Sequence, residues 1–166
     1  MKKANPPSPH NQTDLEKFWV LLRNDGFEDP MFDEEIVAAK NLMTAYDIAG
    51  RARARTAYPK TLFCWDARCL RERIASLQKK LAANADDNNS GFLCLVLDRS
   101  DNTVTEVEIV AESIRDAYKD AIQKRKADHG QPNHDDDCGF SVAMTFDIAG
   151  LEALLLRLDP TTKPAQ

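Results

Sequence analysis

The densest collection of potential metal ligands in this chain is the run from His129 to Cys138, His-Gly-Gln-Pro-Asn-His-Asp-Asp-Asp-Cys. Imidazole, carboxylate and thiolate all bind divalent ions, and a loop can fold them around one. The spacing argues against a built site. His129 and His134 are not four apart, as one helical face would require, and the side chains of Asp135, Asp136 and Asp137 cannot all point inward. The expectation is a solvated acidic loop without a tight metal, in which His129, His134, Asp135 and Cys138 are weak candidate ligands. The four cysteines, Cys64, Cys69, Cys94 and Cys138, fit neither a disulfide framework nor a paired zinc motif. Cys64 or Cys69 could act as a nucleophile only with a histidine brought beside it. There is no glycine-rich phosphate loop, Gly-x-Ser-x-Gly or His-Glu-x-x-His. Neither catalysis nor a cofactor is expected, and a metal-assisted enzyme ranks third among the functions considered.

The stronger chemical feature is a basic island. Residues Arg51 to Leu81 hold nine of the 22 Lys and Arg residues against only Asp66 and Glu72, in a chain whose net charge is −5. Such an island can hold phosphate, or it can hold acidic groups of the same or another protein. Its candidate contact residues are Arg51, Arg55, Lys60, Arg68, Arg71, Arg73, Lys79 and Lys80, with Tyr58, Phe63 and Trp65 interleaved as possible stacking groups. On a helical wheel the charges from Arg68 to Lys80 surround the helix without forming one stripe, and the rest of the molecule repels phosphate. A non-catalytic module that binds a protein partner through a charged helical surface, as an adaptor or inhibitor would, is therefore expected first. Nucleic-acid binding through the island is the alternative.

The elements that position these residues follow from periodicity. Residues 1–12 are proline-containing and without apolar period, so a disordered tail is expected, with another at 160–166. Thr13 and Glu16 form a capping-box pattern, and Leu15, Phe18, Trp19 and Leu22 follow at helical spacing up to Gly26. A second helix is expected from Asp29-Pro30 towards Arg55, burying Ile36, Ala39, Leu42, Met43 and Tyr46. Thr61 to Trp65 is a short apolar link, either strand or buried turn. Asp66 caps a third helix whose seam is Leu70, Ile74, Leu77 and Leu81.

After the polar stretch Ala85 to Gly91 the period changes. Phe92 to Leu97 is continuously apolar, as a central strand covered on both faces would be. A turn at Arg99–Asn102, a strand at Thr103–Val110, a helix at 112–128, a strand through Phe140, Val142, Met144 and Phe146, and a helix through Leu151 to Leu158 complete the pattern. The helix at 112–128 is expected to bury Ile114, Tyr118, Ala121 and Ile122. The fold class expected is α+β: three helices over 13–84, then a β-β-α-β-α unit over 85–159 with a small, mainly antiparallel three-stranded sheet, all packed as one domain. The pentapeptides Tyr46-Asp47-Ile48-Ala49-Gly50 and Phe146-Asp147-Ile148-Ala149-Gly150 do not extend into their flanks, and no repeat is read from them.

An apolar content of 43% with 30% charged residues is that of an ordinary globular chain. No apolar run reaches the roughly 20 residues that cross a bilayer. The basic start lacks the apolar segment of a secretory signal, so a cytoplasmic protein without membrane contact is expected.

Overall fold

The computed structural model describes residues 15–24, 31–52, 59–84, 88–130 and 139–161. Its elements are β1 (Glu16–Asn24), β2 (Met31–Ala39), α1 (Leu42–Ala52), β3 (Pro59–Trp65), α2 (Ala67–Ala82), β4 (Ser90–Asp98), β5 (Thr103–Ala111), α3 (Ile114–Asp128), β6 (Phe140–Asp147) and α4 (Ile148–Leu158). The expectation of three helices ahead of a single β-β-α-β-α unit is overturned, because that unit occurs twice. Each half has an antiparallel three-stranded sheet with its first strand in the middle, ordered β2-β1-β3 and β5-β4-β6.

The first expected helix is β1. Phe18 to Leu22 are all buried, which a strand covered on both faces achieves and an amphipathic helix cannot. Leu15, which begins the helical spacing, is 55% exposed. The second expected helix is two elements. Met31–Ala39 is a strand paired with β1 in continuous register from Glu16↔Ala39 to Asn24↔Met31. The helix starts only after Asn41, whose side chain accepts from the Thr44 amide at 2.9 Å as an N-cap. Thr13, Asp29, Pro30, Arg53 and Arg55, on which those boundaries rested, lie outside the described residues.

Equivalent residues do equivalent work in the two halves. Ala45 and Ala49 of α1 and Ala117 and Ala121 of α3 are fully buried, and each pair lets its helix sit close on the outer face of its own sheet. That outer layer packs on Phe18, Val20 and Leu22 in one half and on Phe92, Cys94 and Val96 in the other. Asp66 and Asp147 cap α2 and α4, accepting from Cys69 N at 2.6 Å and Gly150 N at 2.7 Å. Both third strands carry a bulge at the same place. Leu21 and Leu22 face Phe63 and Thr61, leaving out Leu62, while Leu95 and Val96 face Met144 and Val142, leaving out Ala143.

The bulge corrects a second expectation. A strictly alternating β6 would put Phe140, Val142, Met144 and Phe146 on one core face. Instead Phe140 and Val142 pack under α3, and Met144 and Phe146 join the central core. The similar pentapeptides are unrelated to the repeat, since one lies in α1 and the other spans the β6–α4 junction.

The inner faces of both sheets share one core with α2 and α4. Trp19, Leu21, Trp65, Leu93 and Leu95 meet Leu70, Ile74 and Leu77 of α2 and Leu151, Leu154, Leu155 and Leu158 of α4 there. α2, made by the first half, lies across β4 and β5 of the second. α4, made by the second, touches β1 of the first as well as α2. A Cβ on Gly91 would stand 3.1 Å from Ile148 Cδ1 and 3.5 Å from Leu77 Cβ, so glycine lets both helices approach β4 here. Among the described residues no helix is long and apolar enough to cross a membrane.

Candidate functional site

The basic island is distributed over α1, β3 and α2, and much of it is turned inward onto the second half. Arg73 of α2 contacts Glu106 of β5 through Nε at 2.8 Å and Nη2 at 2.6 Å. The other oxygen of that carboxylate accepts from the Trp65 indole N–H at 2.5 Å. The hydrogen bond with Glu106 outweighs burial and holds the Arg73 guanidinium above its ordinary pKa. One turn on, Ser76 Oγ donates to Glu108 at 2.7 Å, and a further turn on Lys80 Nζ lies 2.7 Å from the same oxygen. Burial alone would raise the Glu108 carboxyl. The hydrogen bonds from Lys80 and Ser76 and the charges of Lys80 and Arg73 outweigh it and hold the group below the usual range. Arg71 pairs with Asp159 at the end of α4.

The remaining candidates scatter. Arg68 pairs with Glu72 on its own helix, at 3.6 Å with both side chains largely exposed. Lys79 and Arg51 are exposed on different helices. Arg55 and Tyr58 lie outside the described residues, as does the side chain of Lys60 in β3. The two described aromatics of the island, Phe63 and Trp65, are engaged in ring contacts within the protein. Trp65 is buried and stacks on Trp19 with centroids 4.8 Å apart, and Phe63 packs edge-on against Trp65 at 5.4 Å.

For metal and thiol chemistry, His129 Nε2 accepts from the Arg125 guanidinium at 2.8 Å across one helical turn, and the ring lies against Phe140. His134, Asp135, Asp136, Asp137 and Cys138 are outside the described residues. Among the described residues no group of three or more His, Cys, Asp or Glu side chains is placed to hold an ion. Burial is the largest influence on Cys64 and, with Asp66 and Cys69 nearby, pushes its thiol up to about 12. Cys69 and Cys94 are also raised, burial again leading. Thiols held neutral in this way are poor nucleophiles at neutral pH.

A different feature stands open on the surface. Between α3 and the outer edge of β6 runs a groove of about 600 Å³, lined by Ile114, Arg115, Tyr118 and Lys119 and by the four consecutive residues Val142, Ala143, Met144 and Thr145. Ile114 and Tyr118, expected in the core, are 58% and 43% exposed. The alanines explain this. Ala117 and Ala121 take the face against the sheet, so the large apolar residues beside them are left outside. The first half does the same, with Leu42 and Met43 at 42% and 73% exposure beside buried Ala45 and Ala49. Two alanines four apart on a helix, flanked by larger apolar residues, are the sequence signal that would have located this surface. Neither a scan against protein-family models nor a search among curated proteins returns a match to this chain.

Proposed function

We propose that the chain is a non-catalytic protein-binding module of the adaptor or inhibitor-like kind, with its contact surface on the outer helices α1 and α3. The observation that carries this reading is the exposure of large apolar side chains at corresponding positions of the two halves, Leu42 in α1 and Ile114 in α3. Apolar residues grouped on an exposed face and rimmed by polar ones mark contact surfaces more often than isolated exposed ones do. The cations of α2 favour phosphate less than their number implies, because Arg71, Arg73 and Lys80 already hold carboxylates of the chain's own second half.

The test is size exclusion with light scattering and ultraviolet spectra on the tagged full chain purified from its native host. The expected complex has a stoichiometric polypeptide partner and the spectrum of protein alone. Co-eluting nucleic acid that dissociates as salt is raised would overturn the reading in favour of phosphate binding.

A further inference from the structure

On the protein-binding reading above, we infer that the groove between α3 and β6 takes an extended, acidic peptide segment of a partner, added as a further strand at the β6 edge. β6 is an outer strand of its sheet and, among the described residues, pairs with β4 on one side only. Successive side chains of a strand point to opposite faces. The bulge at Ala143 shifts that alternation, but residues 142–145 still draw on both faces, with Val142 under α3 and Ala143 and Met144 on the central core. A groove that they line together therefore runs along the strand's edge, where backbone groups face outward. A peptide laid there gains main-chain hydrogen bonds from β6, and alternate side chains turn towards α3.

The walls specify the rest. Ile114 and Tyr118 offer an apolar seat. Arg115 and Lys119 flank it, and no acidic side chain lines the groove, which makes it a cationic spot on a chain of net charge −5. Lys119 lies 4.0 Å from the carboxylate of Asp116 on its own helix, both side chains exposed, and such a pair gives way readily to a better partner. Because side chains facing α3 recur every second residue, the ligand carries an apolar anchor with Asp or Glu two positions from it. Charge complementarity of this kind steers the encounter and fixes register.

The experiment is selection of a displayed library of short random peptides on the immobilised full-length chain, followed by binding of the enriched sequence as a fluorescein-labelled peptide. Enrichment of the apolar-x-acidic spacing is expected. Tyr118→Ala, and separately Arg115→Glu with Lys119→Glu, should each weaken binding by about tenfold or more, as loss of an anchor does. Arg68→Gln with Lys79→Gln should leave it unchanged, and circular dichroism should show every variant folded. Backbone N-methylation of the peptide should abolish binding at alternate positions only. Equal affinity for wild type and groove variants overturns the site while leaving the protein-binding reading intact. Tolerance of N-methylation throughout overturns strand addition, and a library without enrichment overturns the groove as a peptide site. A scattering mass twice the 18.6 kDa monomer that falls to the monomer with Tyr118→Ala would assign the groove to a second copy and overturn the proposal.

Discussion

In the first half the shared core is filled by indoles: Trp19 and Trp65 stack, and Phe146 from the second half meets both edge-on at 5.6 and 5.7 Å. In the second half Leu93 stands where Trp19 stands and Phe146 where Trp65 does. The polar links differ as well. Glu106 lies between the Trp65 indole and Arg73, with its side chain 17% exposed. Its counterpart Glu34 accepts from the Trp19 indole at 2.8 Å but has Arg157 only at 3.6 Å and is far more exposed. What the halves share is small: two alanines per outer helix, an aspartate cap before each last helix, a central strand apolar on both faces, and a bulge. Those features are enough to set the frame. The remaining side chains are free to differ, and the first half uses that freedom to carry cations across to acids of the second.

That comparison can be broken at several levels. Leu21→Ala and Leu95→Ala remove the same side chain from equivalent, fully buried positions of the central strands. Each should cost roughly 2–5 kcal/mol in denaturant unfolding, and values differing by more than that spread would show the positions are not equivalent. Glu106→Ala strands the Trp65 N–H and the Arg73 guanidinium and should cost about 1–3 kcal/mol. Glu34→Ala also strands an indole N–H, that of Trp19, but its ion pair with Arg157 is long and exposed. It should therefore cost less than Glu106→Ala, about 1 kcal/mol, and a reversed order would refute the asymmetry of the two links. Asp66→Ala and Asp147→Ala each remove one N-cap and should lower stability by about 1 kcal/mol. The smallest effect is in pH. Glu108 has a folded-state pKa below its unfolded value, so its contribution is complete above the unfolded value of about 4.3 and is lost as pH falls through the folded one. Glu108→Gln should flatten the acid limb of stability in that window and leave the neutral side parallel to wild type.

The difference between the halves also explains what could be read from sequence. Phe92 to Leu97 is an unbroken apolar run that no helical pattern fits, so β4 is legible, and Asp66 with Leu70, Ile74 and Leu77 makes α2 so. Phe18 to Leu22 is equally unbroken, but Leu15, Phe18, Trp19 and Leu22 coincide with a helical period behind a capping-box pattern, and the local signal outweighed the run. In β2, Asp33, Glu34 and Glu35 resemble the acidic first turn of a helix. What decides for strand is tertiary, the ladder with β1 and the Trp19–Glu34 bond. The groove was hidden because a wheel of α3 favours its largest apolar residues as the buried ones, whereas close approach to the sheet requires its smallest. The inward use of the basic island was foreseeable only as one of two options, since charge sums do not say which acids lie within reach.

The central claim is that neither half is complete alone, because α2 and α4 close a core shared by both sheets. It is tested most directly by inserting a protease site between Ala85 and Asp87, cutting it in the folded protein, and measuring mass and unfolding without denaturing separation. The account predicts that the cut chain stays at the mass of the intact molecule and unfolds in one cooperative transition that becomes concentration-dependent. Fragments that part under native conditions and melt independently would contradict it.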